Sequence, residues 1–322
     1  MDKEKARESK RVAARGNIEK RRRRGTGWAI VAALVFSIGL GMIGWRGLHT
    51  PSYHYVLSEE LRLTFTNADE VIQQIRTGLQ RHDQRIRIRF TTGTDHMADI
   101  SALVQELMEF AYAETEDPSQ GDYLRYQTGG YELEYGYEES DGVYTYELVI
   151  TPDYYTTPEQ EETVDEAVRE IIQSMRFGRH TDDAEKVRQI YQFVYDTVEY
   201  DMVHRNNRKY HLKTTAYAAL VRKRAVCQGY SVLTYRLLRE AGVNARVITG
   251  TLKDGEGTEH HAWNLVEIDG AWYNLDVTWN KMLESDAYYL KTDRSMEDHV
   301  RDEAFATETF MAQYPMAAQD YE

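Results

Sequence analysis

The chain has 322 residues, 42% of them hydrophobic, with 39 Lys or Arg against 53 Asp or Glu for a net charge of -14, and a single cysteine. That mixture is globular and long enough for two domains. One cysteine excludes an internal disulfide framework and any zinc site built from paired cysteines, and so strong an acidic surplus disfavours polyanions such as nucleic acid or teichoic acid as direct partners.

The charge is unevenly spread. Residues 1–26 hold eleven Lys or Arg against four Asp or Glu, a surplus of seven that leaves the rest of the chain at -21. The split has a ready cause in Gly27 to Trp45, "GWAIVAALVFSIGLGMIGW", which carries no charge. At 1.5 Å per residue a helix of that length reaches roughly 28 Å, close to the thickness of a hydrocarbon core. "KRRRR" (Lys20 to Arg24) precedes it and only Arg46 follows closely, so the positive-inside bias puts the N-terminus in the cytoplasm and the bulk outside. Trp28 and Trp45 sit where interfacial anchors belong. No A-x-A cleavage site follows, so a retained anchor is expected rather than a signal peptide. The expected order is a basic cytoplasmic tail (1–26), a transmembrane helix (27–46) in a single-pass cell-membrane protein, and a short stalk (47–60).

Residues 61–178 then read as a small α+β domain. "LRLTFT" (Leu61, Leu63, Phe65) has the period of a strand. Asn67 and Glu70 form a capping-box-like start for a helix carrying Val71, Ile72, Ile75 and Leu79. "RIRIRF" is a second half-buried strand, followed by a helix with Ile100, Leu103, Val104, Leu107, Met108 and Ala111 on one face. "YELEYGYE" and "VYTYELVI" form a hairpin about Asp141-Gly142, and Thr157-Pro158 opens a helix with Val164, Val168, Ile171 and Met175 in step. The tyrosine rows read as a covered sheet face, with a binding face as the alternative. No chemical constellation stands out in this part.

"RFGRHTDD" (Arg176 to Asp183) marks the boundary to residues 179–322. Asp182 caps a helix bearing Val187, Ile190, Tyr191 and Val194, and Thr215 caps a short one ending near Leu220. From Cys227 a further helix runs through Tyr230, Leu233, Thr234, Leu237 and Ala241 to Gly242, a C-cap glycine. The only cysteine therefore opens a helix, where unpaired N–H groups and the positive end of the dipole favour a thiolate and can hold an oxyanion. A small buried hydrophobe is the plainer role for a free cysteine, but Leu, Ala or Val would serve it equally well.

A base for the thiol is found in "EHHAWNLVEIDGAWYNLDVTWN" (Glu259 to Asn280). Asp269-Gly270 predicts a two-residue type I′ hairpin. Ile268 then faces Ala271, Trp263 faces Asp276 and His261 faces Thr278. His261 and Asp276 share one face on a diagonal within hydrogen-bonding reach, while Ala262, Val266, Ile268, Leu275 and Val277 form the core face. His260 points the other way. Cys227, His261 and Asp276 thus supply a nucleophile, a base and an orienting carboxylate. A metal site from Cys227, His260, His261 and an acid has no regular zinc spacing. His204, His211 and His299 have no defensible partner spacing and read as surface or packing residues, and the polar run from Tyr200 to His211 reads as a solvated connection.

"AVCQGYS", "GVNARVITG" and "HHAWNLVEIDGAWYNLDVTW" closely resemble the transglutaminase-like domain of bacterial extracytoplasmic proteins, over roughly residues 180–300. The resemblance implies a papain-like α+β fold and a Cys-His-Asp triad at Cys227, His261 and Asp276, with no cofactor. Trp263 and Trp279 match aromatic positions flanking the triad, and Gln228 and Tyr217 lie near Cys227 in the matching blocks as supporting candidates for the oxyanion or the thiol. Val277 departs from the proline that many members have there. The implied activity is a cysteine-dependent acyltransferase or a peptidase or amidase, acting on protein or peptide substrates at the cell envelope through Gln and Lys side chains or peptide amides. A catalytically silent extracellular binding module on the same fold is the alternative.

Overall fold

A computed structural model describes residues 27–29, 67–253 and 258–322. The basic tail, the stalk, the expected strand at Leu61 to Phe65 and residues 30–46 of the expected span lie outside the described residues. Gly27–Ala29, which open that span, form a strand (β1) along the outer edge of the first sheet, pairing Gly27 with Tyr137 and Ala29 with Tyr135. A sheet edge offers unpaired N–H and C=O groups that an extended segment can satisfy. Among the described residues no helix is long and apolar enough to cross a membrane.

The first core is built by α1 (Ala68–Gln80), β2 (Ile86–Thr92), α2 (Ile100–Ala111), the short α3 (Asp122–Tyr126), β3 (Thr128–Ser140) and β4 (Val143–Tyr154). The sheet is antiparallel in the order β1-β3-β4-β2. Strand β2 buries every second residue, so Ile86, Ile88 and Phe90 meet the apolar stripes of α1 and α2. The tyrosines of β3 and β4 are covered rather than displayed: Tyr131, Tyr135 and Tyr146 are buried, and Tyr137 and Tyr144 pack on Tyr146.

The second core begins with α4 (Pro158–Met175), which the sequence pattern groups with the first unit but whose Val164 and Val168 pack among the later helices. Thr157 and Gln160 form a full capping box at its start. Next come α5 (Asp183–Thr197), capped by Asp182, then the paired strands β5 (Glu199–Tyr200) and β6 (Arg224–Ala225), with α6 (Ala216–Leu220) between them. Helix α7 (Cys227–Glu240) lies at the centre of this core. Strands β7 (Ala245–Lys253), β8 (Thr258–Ile268) and β9 (Ala271–Leu275), with β10 (His299–Arg301), form an antiparallel sheet in the order β10-β7-β8-β9. Helices α8 (Val277–Leu283) and α9 (Glu308–Gln313) complete the unit.

The hairpin register matches the pattern: Ile268 pairs with Ala271 and Asn264 with Leu275, and both turn residues have positive φ, 52° at Asp269 and 80° at Gly270, as a type I′ turn requires. The strand is shorter than its alternation suggests. β9 stops at Leu275, because Asp276 accepts from the backbone N–H of Trp279 and caps α8, so Thr278 is helical instead of facing His261.

Candidate active site

Helix α7 begins at Cys227 with Val226 as an N-cap that supplies no side-chain bond, so its first-turn N–H groups lack intrahelical partners beside the thiol. Gly229 lets this end seat deeply. A Cβ there would lie 2.6 Å from that of Ala225 and 3.0 Å from the Lys213 carbonyl oxygen. Two polar side chains tie α7 to β8. Ser231 Oγ donates to the Ala262 carbonyl at 2.9 Å, and Asn264 Nδ2 donates to the Ser231 and Arg246 carbonyls at 3.0 and 3.1 Å. The helix carrying the thiol is thereby held against the strand carrying His261.

His261 and Asp276 are both buried, and His261 Nε2 donates to Asp276 Oδ2 at 2.6 Å. Nδ1 is the ring nitrogen that Asp276 does not engage, and the half-buried Cys227 is among the groups that act on the ring. Burial pushes His261 down, but the carboxylate of Asp276 and the hydrogen bonds to Asp276 and Cys227 more than offset it and raise His261 to about 10. Burial pushes Asp276 up, yet His261 and His299 overcome it and hold the carboxyl well below the usual carboxylate range. The pair is an imidazolium and a carboxylate at neutral pH.

Of the supporting candidates, Trp263 is buried with its ring stacked 6.0 Å from His261 and its Nε1 bonded to Asn274 Oδ1, and Trp279 lies 6.2 Å from His261 at a tilt of 51°. Gln228 turns away: its Nε2 points to the Tyr126 carbonyl at 3.4 Å. Tyr217 packs at the margin of the second core. His260 is exposed, as the strand alternation requires.

His299 is neither a surface nor a mere packing residue. Its Nε2 lies 3.0 Å from Asp276 Oδ2 and its ring stands edge-on to His261 at 5.6 Å. No spacing could signal it, since it reaches the site across the sheet from β10. Among the described residues the cluster able to ligate a metal is therefore His261, Asp276 and His299, not Cys227 with His260. Its separations of 2.6 and 3.0 Å are those of direct hydrogen bonds, so the cluster is satisfied without a cation. His204 bonds Asp201, and His211 stacks on Tyr155. The run from Tyr200 to His211 is pinned rather than freely solvated, because the buried Lys213 donates to the carbonyls of His204, Arg205 and Asn207 at 2.8–2.9 Å. Tyr200 is raised by burial first and then by the charges of Cys227 and Glu259.

Residues 169–277 match the family model of the transglutaminase-like superfamily. The match takes in Cys227, His261 and Asp276 and stops short of His299. This transglutaminase-like region is similar to kyphoscoliosis peptidase of Homo sapiens, 31% identical over 129 residues, and to that of Mus musculus, 30% identical over 131 residues. Those alignments cover 37% and 38% of this chain but only 18% and 19% of the relatives, so the chain spans less than a fifth of their length. Among solved structures, a TGase is 23% identical with a TM-score of 0.34, covering 47% of this chain and 44% of its own. A protein of Cytophaga hutchinsonii assigned as a cysteine protease is 17% identical with a TM-score of 0.31, covering 54% and 69%. Both scores are too low to support a conclusion about fold or activity. The family match covers residues 169–277 and makes that stretch, not the whole chain, similar to the transglutaminase-like superfamily.

Proposed function

We propose that the chain is a transglutaminase-like thiol enzyme that forms an acyl-thioester on Cys227 from an amide of a protein or peptide. The observation that carries this reading is the buried 2.6 Å bond from His261 to Asp276, which leaves the other ring nitrogen to a cysteine at a helix start. Cys227 is the nucleophile, His261 the acid and base, and Asp276 the residue that orients His261.

In the first half, Cys227 Sγ attacks the amide carbonyl carbon as a C–S bond forms and the carbonyl π pair moves to oxygen. The N–H groups opening α7 are placed to hold that oxyanion. The C–N bond then breaks, and the His261 proton leaves with the nitrogen as ammonia from a Gln side chain or as an amine from a peptide bond. In the second half, an amine or water attacks the thioester, His261 takes its proton, and the thiolate is released. An amine such as a Lys side chain gives a crosslink, and water gives hydrolysis. Trp263 and Trp279 flank the ring and restrict its motion. The sequence resemblance supports a place at the cell envelope, with protein or peptide substrates there. The acidic body speaks against nucleic acid.

The test uses the full chain under reducing conditions, with casein as amide donor and hydroxylamine as acceptor. Hydroxylamine captures any acyl-thioester as a hydroxamate, whichever natural acceptor follows. Hydroxamate formation that is abolished in Cys227→Ala and His261→Ala is the expected result. If iodoacetamide modifies Cys227 identically in the wild type and in His261→Ala, and no hydroxamate forms, the catalytic reading is wrong.

A further inference from the structure

We propose that His299 is a positioning residue for the Asp276–His261 pair, a second imidazole that fixes the carboxylate from behind and so governs how fast the thiol reacts. The inference rests on the catalytic reading of Cys227, His261 and Asp276.

Every direction around Asp276 is occupied. Oδ1 accepts the backbone N–H of Trp279 at 2.9 Å, and Oδ2 accepts from His261 at 2.6 Å and from His299 at 3.0 Å. The carboxylate cannot turn without losing one of these bonds. The second nitrogen of His299, Nδ1, lies 2.9 Å from Asp298 Oδ1, and Asp298 Oδ2 accepts the Tyr288 hydroxyl at 2.5 Å. A carboxylate stands at each ring nitrogen, so His299 is held between Asp276 and Asp298. Asp298 is itself held low: burial works against this, but the Tyr288 and His299 bonds prevail.

The fold is built to bring this ring in. Strand β10 pairs with β7, placing His299 opposite Leu252 and Arg301 opposite Gly250. A Cβ on Gly250 would lie 2.1 Å from the Val300 carbonyl oxygen and 2.8 Å from Trp263 Cη2. Only glycine lets β10 close on the sheet while Trp263 slides beneath it, edge-on to His299 at 5.1 Å.

The groups that face the pair come from each neighbouring element: Cys227 on α7, Asp276 at the head of α8, Asp298 and His299 at β10, Tyr288 after α8, and Tyr200 on β5. Two imidazole rings share one carboxylate oxygen, so His299 fixes the acceptor on which the orientation of His261 depends. Removing the His299 donor should loosen Asp276 and slow the thiol, and a replacement that keeps a donor at that place should not.

The test is the pH profile of Cys227 alkylation by iodoacetamide in the full chain, comparing wild type, His261→Ala, His299→Gln and His299→Ala. His299→Ala should slow alkylation about 10-fold, because Asp276 loses a tether, and His299→Gln, which restores a donor, should recover most of that rate. A packing role alone would lower stability and leave the rate in place, so a folded His299→Ala that is alkylated as fast as the wild type overturns the inference, and so does a folded His299→Gln as slow as His299→Ala. If His299→Ala does not fold, His299→Leu takes its place with the same expected and overturning results. Identical profiles for wild type and His261→Ala would sink the catalytic reading and this inference together, whereas a difference there with no effect of His299→Ala would sink the inference alone.

Discussion

At the scale of single residues, the site depends on one carboxylate doing two jobs, capping α8 with Oδ1 and holding His261 with Oδ2. Asp276→Asn keeps a carbonyl for one job and loses the charge needed for the other. His261, raised to about 10 beside the carboxylate, should fall toward its ordinary 6.5, and turnover should drop by about 10³- to 10⁴-fold, the scale seen when a triad carboxylate is neutralised. The same change has a stability signature. A raised histidine contributes stability that is complete below about 6.5 and lost as pH rises through about 10. A lowered carboxyl contributes above about 3.9 and loses it as pH falls. The stability gap between wild type and Asp276→Asn should therefore be widest between about pH 4 and 6.5 and narrow on both sides, which urea unfolding across pH would show. The contact between His261 and Asp276 was legible because a type I′ turn fixes side-chain parity along both strands, and Cys227 stood out separately as the residue that opens α7. His299 was not, because its approach to Asp276 depends on how β10 docks on β7, and no local pattern encodes that docking.

At the scale of elements, two glycines decide how closely the parts of the site approach. Gly229→Ala puts a methyl 2.6 Å from Ala225 Cβ and 3.0 Å from the Lys213 carbonyl, so the head of α7 must shift. The expected cost is about 1–3 kcal/mol, with slower alkylation of Cys227 because the thiol moves with the helix. Gly250→Ala is harsher, since its methyl would lie 2.1 Å from the Val300 oxygen on β10. It should displace His299 and slow alkylation as His299→Ala does, whereas Gly229→Ala acts through the helix that carries the thiol and leaves the Asp276–His299 contact in place. Most helices were readable from periodicity and caps: α1, α2, α4, α5, α6 and α7 all begin within a residue or two of the position their sequence signals. The errors came where two signals compete. Leu275, Asp276, Val277 and Thr278 alternate like a strand, but an aspartate three residues before Trp279 is also a helix cap, and the cap won. Ser231 and Asn264, which lock α7 to β8, look like ordinary polar residues in the sequence, since only their burial reveals that they must bond across elements.

At the scale of the whole molecule, the two cores are joined by a buried ionic junction that hydrophobic periodicity does not reveal. Arg246 on β7 pairs with Asp122 on α3, Nε to Oδ2 at 2.7 Å and Nη2 to Oδ1 at 3.1 Å, and also bonds the Tyr314 hydroxyl. Glu114 accepts the Asp122 N–H at 2.8 Å and the Tyr235 hydroxyl of α7 at 2.6 Å. Glu114 and Asp122 lie together against Arg246, with the charge of Arg239 also reaching Glu114. Burial first, and then the charge of Asp122, raise Glu114 to about 7 against the pull of Arg246, the Tyr235 bond and Arg239. An acid raised on folding contributes stability that is complete below its unfolded value of about 4.5 and is lost as pH rises through about 7. The chain should thus weaken across that window by up to about 1.4 kcal/mol per pH unit from this group alone. Glu114→Gln, which carries no charge to bury, should lose the slope and gain on the wild type as pH rises from 5 to 8. Arg246→Ala should behave oppositely, losing about 3–5 kcal/mol because Asp122 is left buried without its partner. Urea unfolding of the three proteins at pH 5.5 and pH 8 separates these outcomes. If Glu114→Gln runs parallel to the wild type between those pH values, Glu114 is already ionised in the fold, and Arg246 with Arg239 is enough to hold two carboxylates at the seam.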